Sequence, residues 1–264
     1  MHLNWKKTII ITLDIALGVY LVLAFTKFNQ PDEKGQVCTK VNINIQDKMT
    51  NGFLDAKEIK KRLEAMDIYP LRKPLNNVNT RKIEEMLKRS PFVKSAECYK
   101  TQNGLVDINL TQRMPIVRIK SYTNEDYYID DHNQIMPNTK YTSDMIIATG
   151  YISKWYATRY ISTLSRALMM NEMWRNQIEQ INVLPDKGIE LVPRVGNHII
   201  YLGNLPENNI IEKREKEIEL FVNKKMTRLE NFYKYGLSQA GWNKYSYINL
   251  EFDNQIICKK HQNS

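Results

Sequence analysis

The residue types that most often carry chemistry are sparse and scattered in this chain of 264 residues. Four histidines (His2, His132, His198, His261) lie far apart, and Cys38, Cys98 and Cys258 have no C-x-x-C spacing. Asp130-Asp131-His132 sets three metal-capable side chains in a row. The run Asp130 to Asn133 also separates two apolar stretches, and Asp and Asn stabilise turns through their side chains, so a hairpin turn is the better reading. Nothing matches a P-loop, a dinucleotide fingerprint, H-E-x-x-H or G-x-S-x-G. No catalytic residue, metal ligand or cofactor is therefore assigned.

The elements that would position a site begin with an apolar segment. Thr8 to Phe25 span roughly 27 Å as a helix at about 1.5 Å per residue, close to a hydrocarbon core of ~30 Å. Asp14 costs about 2.5–3.5 kcal/mol at mid-membrane, against roughly 5 kcal/mol returned by the Ile, Leu, Val and Phe residues of the run. Lys6 and Lys7 before the span predict a cytoplasmic N-terminus. The alternative, a cleaved signal peptide, needs a shorter run and a small-x-small site, which Phe25-Thr26-Lys27-Phe28 does not offer. The expected organisation is a cytoplasmic tail over 1–7, a transmembrane helix over 8–26 and a polar linker over 27–37. The remaining length suits two domains, 38–118 and 119–264. With 38 basic and 29 acidic side chains the charge is only +9, which does not call for a nucleic-acid partner.

In the first domain Val41, Ile43 and Ile45 alternate with polar residues as a half-buried strand. Asp55 and Glu58 read as an N-cap and capping-box partner for a helix with Ile59, Leu63 and Met66 on its inner stripe. Asn79 caps a second helix carrying Ile83, Met86 and Leu87, which Ser90-Pro91 ends. Strands at Ala96–Lys100 and Val106–Thr111 flank Asn103-Gly104, a strong hairpin signal. The order is β-α-α-β-β.

These residues carry a resemblance. Ser90-Pro91-Phe92-Val93, the hairpin, and Gln112-Arg113-Met114-Pro115-Ile116-Val117-Arg118 resemble the "PfV … E-R-x-P-v-a" pattern of a POTRA domain behind a short membrane anchor. That arrangement is typical of the FtsQ/DivIB family of bacterial cell-division proteins. Gln112 stands where the family usually has Glu. The strand order that the POTRA resemblance implies, third strand central, would set Cys38 and Cys98 on opposite edges, about 9.6 Å apart and beyond the ~7 Å reach of a disulfide. The likeness continues through Tyr127-Tyr128-Ile129-Asp130 with Asn133 and Pro137, through Leu202-Gly203, and on to Lys260.

The second domain reads as a hairpin at 127–136, a strand at Met145–Ala148 and a helix over Lys154–Arg175. Three strands follow at Ile178–Val183, Gly188–Val192 and His198–Leu202. A long charged helix is expected over Glu207–Arg228, with Ile211, Ile218, Phe221 and Val222 inward and Glu212/Lys216 and Lys213/Glu217 as i, i+4 pairs. Tyr247–Phe252 and Gln255–Lys259 close the chain around Asp253-Asn254. The fold class is α+β: one N-terminal transmembrane helix, a POTRA domain, and a mixed second domain with a mainly antiparallel sheet.

The resemblance implies a non-enzymatic, single-pass type II protein of the inner membrane. Its bulk would be periplasmic, at the division septum, where it binds the coiled-coil proteins FtsB and FtsL and other divisome components and helps regulate septal peptidoglycan synthesis. It also implies that the last strand, Gln255, Ile256, Ile257, Cys258 and Lys259, is a sheet edge to which FtsB adds a strand, with Tyr247, Tyr245 and Trp242 supplying specificity. The first domain's strand Ala96–Lys100 is a second edge, expected to be open to a partner or guarded by Lys94, Glu97 and Lys100. Two other classes are weighed. A POTRA-bearing outer-membrane assembly or secretion factor would need a barrel or repeated POTRA units. A membrane-anchored exported hydrolase would need a nucleophile–base pair or paired acids, which no local motif announces.

Overall fold

A computed structural model describes residues 5–28, 36–46, 53–101, 103–139 and 145–261. The chain divides into two compact units. One comprises Met1–Gln46, Asp55–Lys88 and Ser95–Leu110, the other Asp47–Leu54, Arg89–Lys94 and Thr111–Ser264.

The first unit opens with α1 (Trp5–Leu23), extended by a wide π turn over Ala24–Phe28. The window Ile9–Thr26 has a mean hydropathy of 2.3 and is wholly unburied, so among the described residues this is the one helix long and apolar enough to cross a membrane. Thr12 and Thr26 turn their hydroxyls back onto the carbonyls of Ile9 and Val22, which removes two polar groups from an apolar surface. Residues 29–35 of the expected linker lie outside the described residues.

Beyond it, β1 (Lys40–Ile45), β2 (Val93–Lys100) and β3 (Leu105–Gln112) form a sheet in the order β1-β3-β2, with β1 parallel to β3. Helices α2 (Ala56–Ala65) and α3 (Thr80–Lys88) contribute Ile59, Leu63, Ile83 and Leu87 to the buried interior, and β3 contributes Val106, Ile108 and Leu110. Asp55 accepts from the Lys57 amide and Asn79 from the Lys82 amide, so both helices start where their caps predict. Two details depart from the sequence reading. Glu58 faces forward to Arg62 at 2.7 Å instead of back to the cap. Met66 is the C-cap of α2 and stays half exposed, because the chain leaves the helix there and Asp67 turns at φ 53°.

The second unit is built on nine strands in the order β12-β11-β10-β9-β8-β7-β4-β5-β6 among the described residues. They are β4 (Pro115–Ser121), β5 (Asp126–Asp130), β6 (Ile135–Pro137), β7 (Ile147–Gly150), β8 (Ile178–Val183), β9 (Gly188–Pro193), β10 (Ile199–Asn204), β11 (Tyr245–Asn249) and β12 (Ile257–Lys260). The pairs β4–β7, β7–β8 and β10–β11 are parallel and the others antiparallel. The expected domain boundary at Arg118 thus falls inside β4, a strand of this larger sheet.

The helix expected over Lys154–Arg175 is interrupted. It runs as α4 (Lys154–Tyr156), a π turn (Ala157–Ile161) and α5 (Ser162–Met170), then restarts as α6 (Glu172–Gln177). Asn171 makes the break, because its side chain accepts from the Met173 and Trp174 amides and caps the new helix. The long helix α7 covers Ile211–Phe232 and continues through a π turn (Tyr233–Leu237) into α8 (Ser238–Ala240), later at both ends than expected. Ile211 sits exposed in its first turn, and Glu217 receives a bond from Asn208. Ile218 and Val222 are fully buried with Leu164, Leu168, Ile200 and Ile248 in a core formed between sheet and helices.

Candidate partner-binding edge

The last strand stands at one end of the nine-stranded sheet, and among the described residues β12 pairs only with β11. The register sets Ile257 opposite Asn249, Cys258 opposite Ile248, Lys259 opposite Tyr247 and Lys260 opposite Tyr245, with an irregularity between Tyr245 and Tyr247. Gln255 and Ile256 precede the strand. Ile256 and Cys258 pack against the core, whereas Ile257 and Lys259 are exposed. Alternation along the strand thus gives one anchored row and one free row, and among the described residues the outer main chain faces no other strand.

Three side chains of α7 hold the approach to this strand. Lys225, 3% exposed, donates through Nζ to the carbonyls of Leu250 and Glu251, each at 2.6 Å. Arg228 bonds the Gln255 carbonyl at 2.8 Å, and Asp253 pairs with Lys224 at 2.9 Å and lies 3.7 Å from Lys225. Burial lowers the Lys225 pKa, a tendency opposed by the Asp253 carboxylate. The turn is fixed by cations bonding main-chain oxygens, an arrangement the sequence reading missed because a lysine in a charged helix looks like a solvated one.

The expected specificity residues fall in two places. Tyr247 donates to Glu190 at 3.1 Å and stacks near Tyr201; burial first, then the Glu190 charge, raise its pKa, so the hydroxyl keeps its proton. Tyr245 lies beside Phe232 with Lys244 over its ring. Trp242 meets Tyr233 edge-on at 5.1 Å, and the Tyr233 hydroxyl bonds Nε2 of buried His198 at 2.7 Å. Burial depresses the His198 pKa, helped by the charge of His261, so the imidazole is neutral near pH 7. Trp242 is 40% exposed and supplies a large, partly free apolar surface.

Away from this edge, the sequence motifs meet in space. Arg113 ion-pairs with Asp130 at 3.2 Å and bonds the Val93 carbonyl. Gln112, 1% exposed, accepts from the Phe53 amide, so its amide oxygen serves where an acid is usual. Asp130 accepts from the amides of His132 and Gln134, the pattern of an Asx turn. Asp131 bonds His132 Nδ1 at 2.7 Å. These groups lie close enough to surround a cation, but the Asp130 oxygens are spent on the turn and on Arg113.

Two stretches of the chain match known family models. Residues 36–111 match the model of a POTRA-like domain. Residues 114–259, more than half of the chain, match the FtsQ/DivIB, C-terminal related model. The chain belongs to the FtsQ/DivIB family. A sequence comparison with curated proteins finds no match. The FtsQ/DivIB family is a non-catalytic one, and the two matched domains fit a cell-division protein. One N-terminal apolar helix is consistent with a single-pass anchor in an FtsQ/DivIB protein. The matched stretch ends at Lys259, within the edge strand.

Proposed function

We propose that this chain is a bitopic divisome protein. Its N-terminus lies in the cytoplasm and its two folded units outside, where it captures FtsB by strand addition at β12, joins FtsL, and thereby helps regulate septal peptidoglycan synthesis. The observation that carries the reading is the terminal position of β12: a strand with one partner leaves a row of main-chain donors and acceptors able to accept another. Exposed Ile257 and Lys259 beside a strand anchored by Cys258 would give an incoming segment both apolar and charged contacts. The orientation rests on Lys6 and Lys7 before the span.

Co-purification of FtsB with the full-length chain from membranes tests the reading. Ile257→Pro removes a main-chain donor and distorts the edge. The expected result is loss of FtsB capture with the thermal melt retained; unchanged capture places the interface elsewhere. Lys259→Glu is the companion variant, expected to weaken capture without touching the main chain. A reporter active only in the cytoplasm, fused after Ser264, is expected to stay silent, and strong activity would reverse the orientation.

A further inference from the structure

Helix α1 carries a residue that an anchor alone does not need. Asp14 is the one charged side chain in the window Ile9–Thr26. A leucine there would insert more readily. From Ile9 to Asp14 the helix rises roughly 7.5 Å, so on the reading of α1 as a membrane span the carboxylate stands well inside the hydrocarbon. A lysine at that depth reaches the interface with its long stem, whereas the single methylene of an aspartate does not. Its own helix supplies no cation either. Lys7 lies on the same face but roughly 10.5 Å nearer the N-terminus, and helical side chains lean toward that end. Asp14 is exposed, and among the described residues it makes no hydrogen bond or ion pair. The hydroxyls of Thr12 and Thr26, by contrast, are satisfied by carbonyls of the same helix.

The face around Asp14 is shaped for a neighbouring helix. Ile10, Asp14, Leu17 and Leu21 recur at spacings of four, three and four, the seam along which helices pack, and the three apolar members are exposed. Gly18 follows Asp14 by one turn, and a Cβ built there meets nothing within 4 Å. Glycine is a poor helix former, and in membranes small residues mark the places where helices approach closely. The charge decides the occupant. An ionised carboxylate only accepts hydrogen bonds, and in hydrocarbon no water donates to it. A second copy of this chain would bring another Asp14 to the same depth, acceptor against acceptor. A span carrying Asn or Ser would donate a bond but leave the charge. An arginine or lysine does both, and the planar fork of arginine meets both carboxylate oxygens. We infer that the Asp14 face of α1 binds a transmembrane helix of a partner protein that carries one basic side chain at the matching depth. The inference rests on α1 spanning the membrane and is independent of strand addition at β12.

Full-length protein with a donor dye at its N-terminus, reconstituted into phosphatidylcholine vesicles, tests it by energy transfer. The probes are acceptor-labelled polyleucine helices with either an arginine or a leucine at the depth of Asp14. The arginine probe is expected to associate about tenfold more tightly than the leucine probe. Asp14→Leu should remove that preference, and Asp14→Asn should keep about a two- to threefold remnant of it. Gly18→Leu should weaken association with both probes while the preference stays. Asp14→Arg should reverse the choice, toward a probe with aspartate at that depth. None of these variants should shift the melting temperature or FtsB capture. The inference is overturned if the parent binds both probes alike, if Asp14→Leu keeps the preference, or if the parent associates with itself more tightly than with the arginine probe. Flotation with the vesicles separates the two readings. A parent chain that stays behind overturns the span and the inference together, whereas one that floats and ignores the probes overturns the inference alone.

Discussion

The two units each end in a strand with one neighbour, and the two edges are finished differently. On β2 the Cys98 amide is already spent, donating to the Glu84 carboxylate of α3 at 2.8 Å, and Glu97 and Lys94 stand exposed along the strand. A side chain from a neighbouring helix does there what a further strand would do, and charges discourage the rest. On β12 the long helix supports the strand from behind, through Lys225 and Arg228 on the carbonyls before it, and among the described residues no other strand claims the outer main chain. An edge is therefore closed or presented according to which main-chain groups the nearest helix takes. Of the two expectations for β2, open to a partner or guarded, the Glu84 bond favours the guarded edge.

The largest effect expected from breaking this contrast is at Lys225. Lys225→Met would leave the Glu251 carbonyl without its cation and the Leu250 carbonyl with only a long 3.4 Å bond from Arg228, at a cost of about 3 kcal/mol. Urea denaturation should register the loss, and amide exchange should quicken over 250–258. If FtsB capture then persists at full strength, the support from α7 is not what presents the edge. A smaller effect is expected at the other edge. Glu84→Ala should cost about 1–2 kcal/mol and expose the Cys98 amide to exchange; an unchanged exchange rate would mean that Glu84 does not close β2.

The smallest effect is a pH dependence confined to one unit. The His198 pKa is depressed in the fold, so the unfolded chain binds the proton more readily. Its contribution to stability is complete above the unfolded value of about 6.5 and is lost as the pH falls from there toward the folded pKa. His198→Gln should flatten that loss in denaturation curves taken between neutral and mildly acid pH. The described residues of the first unit contain no histidine, so their exchange protection should not change over the same window.

Much of this fold is legible in the sequence because its signals are local. Asp55 and Asn79 fix two helix starts, alternation marks β1 and β3, and Asn103-Gly104 marks a turn whose glycine sits at φ 76°. What escaped was non-local or broke a period. The π turns at Ala157–Ile161 and Tyr233–Leu237 each insert a residue into a helical stripe. Asn171 looks like any polar residue of a helix surface until its side chain is seen capping α6. The edge was legible through family likeness and chain order, but Lys225 and His198 were not. Each is buried by partners far away in the sequence, and a charged or polar letter alone reads as solvent-facing.

All three cysteines are free thiols. Burial first, then the nearby Glu84 charge, push the Cys98 thiol up to about 12, and burial raises those of Cys38 and Cys258 as well. Thiolate is thus scarce at neutral pH, and exchange or oxidation is slow at all three positions. Neither unit needs an oxidase to reach its fold, and a reducing agent should leave the melting temperature where it was. Such a chain would fold alike on either face of a lipid bilayer. On the proposed topology, fidelity of delivery would rest on the insertion machinery reading the first two dozen residues, with no second checkpoint in the thiols.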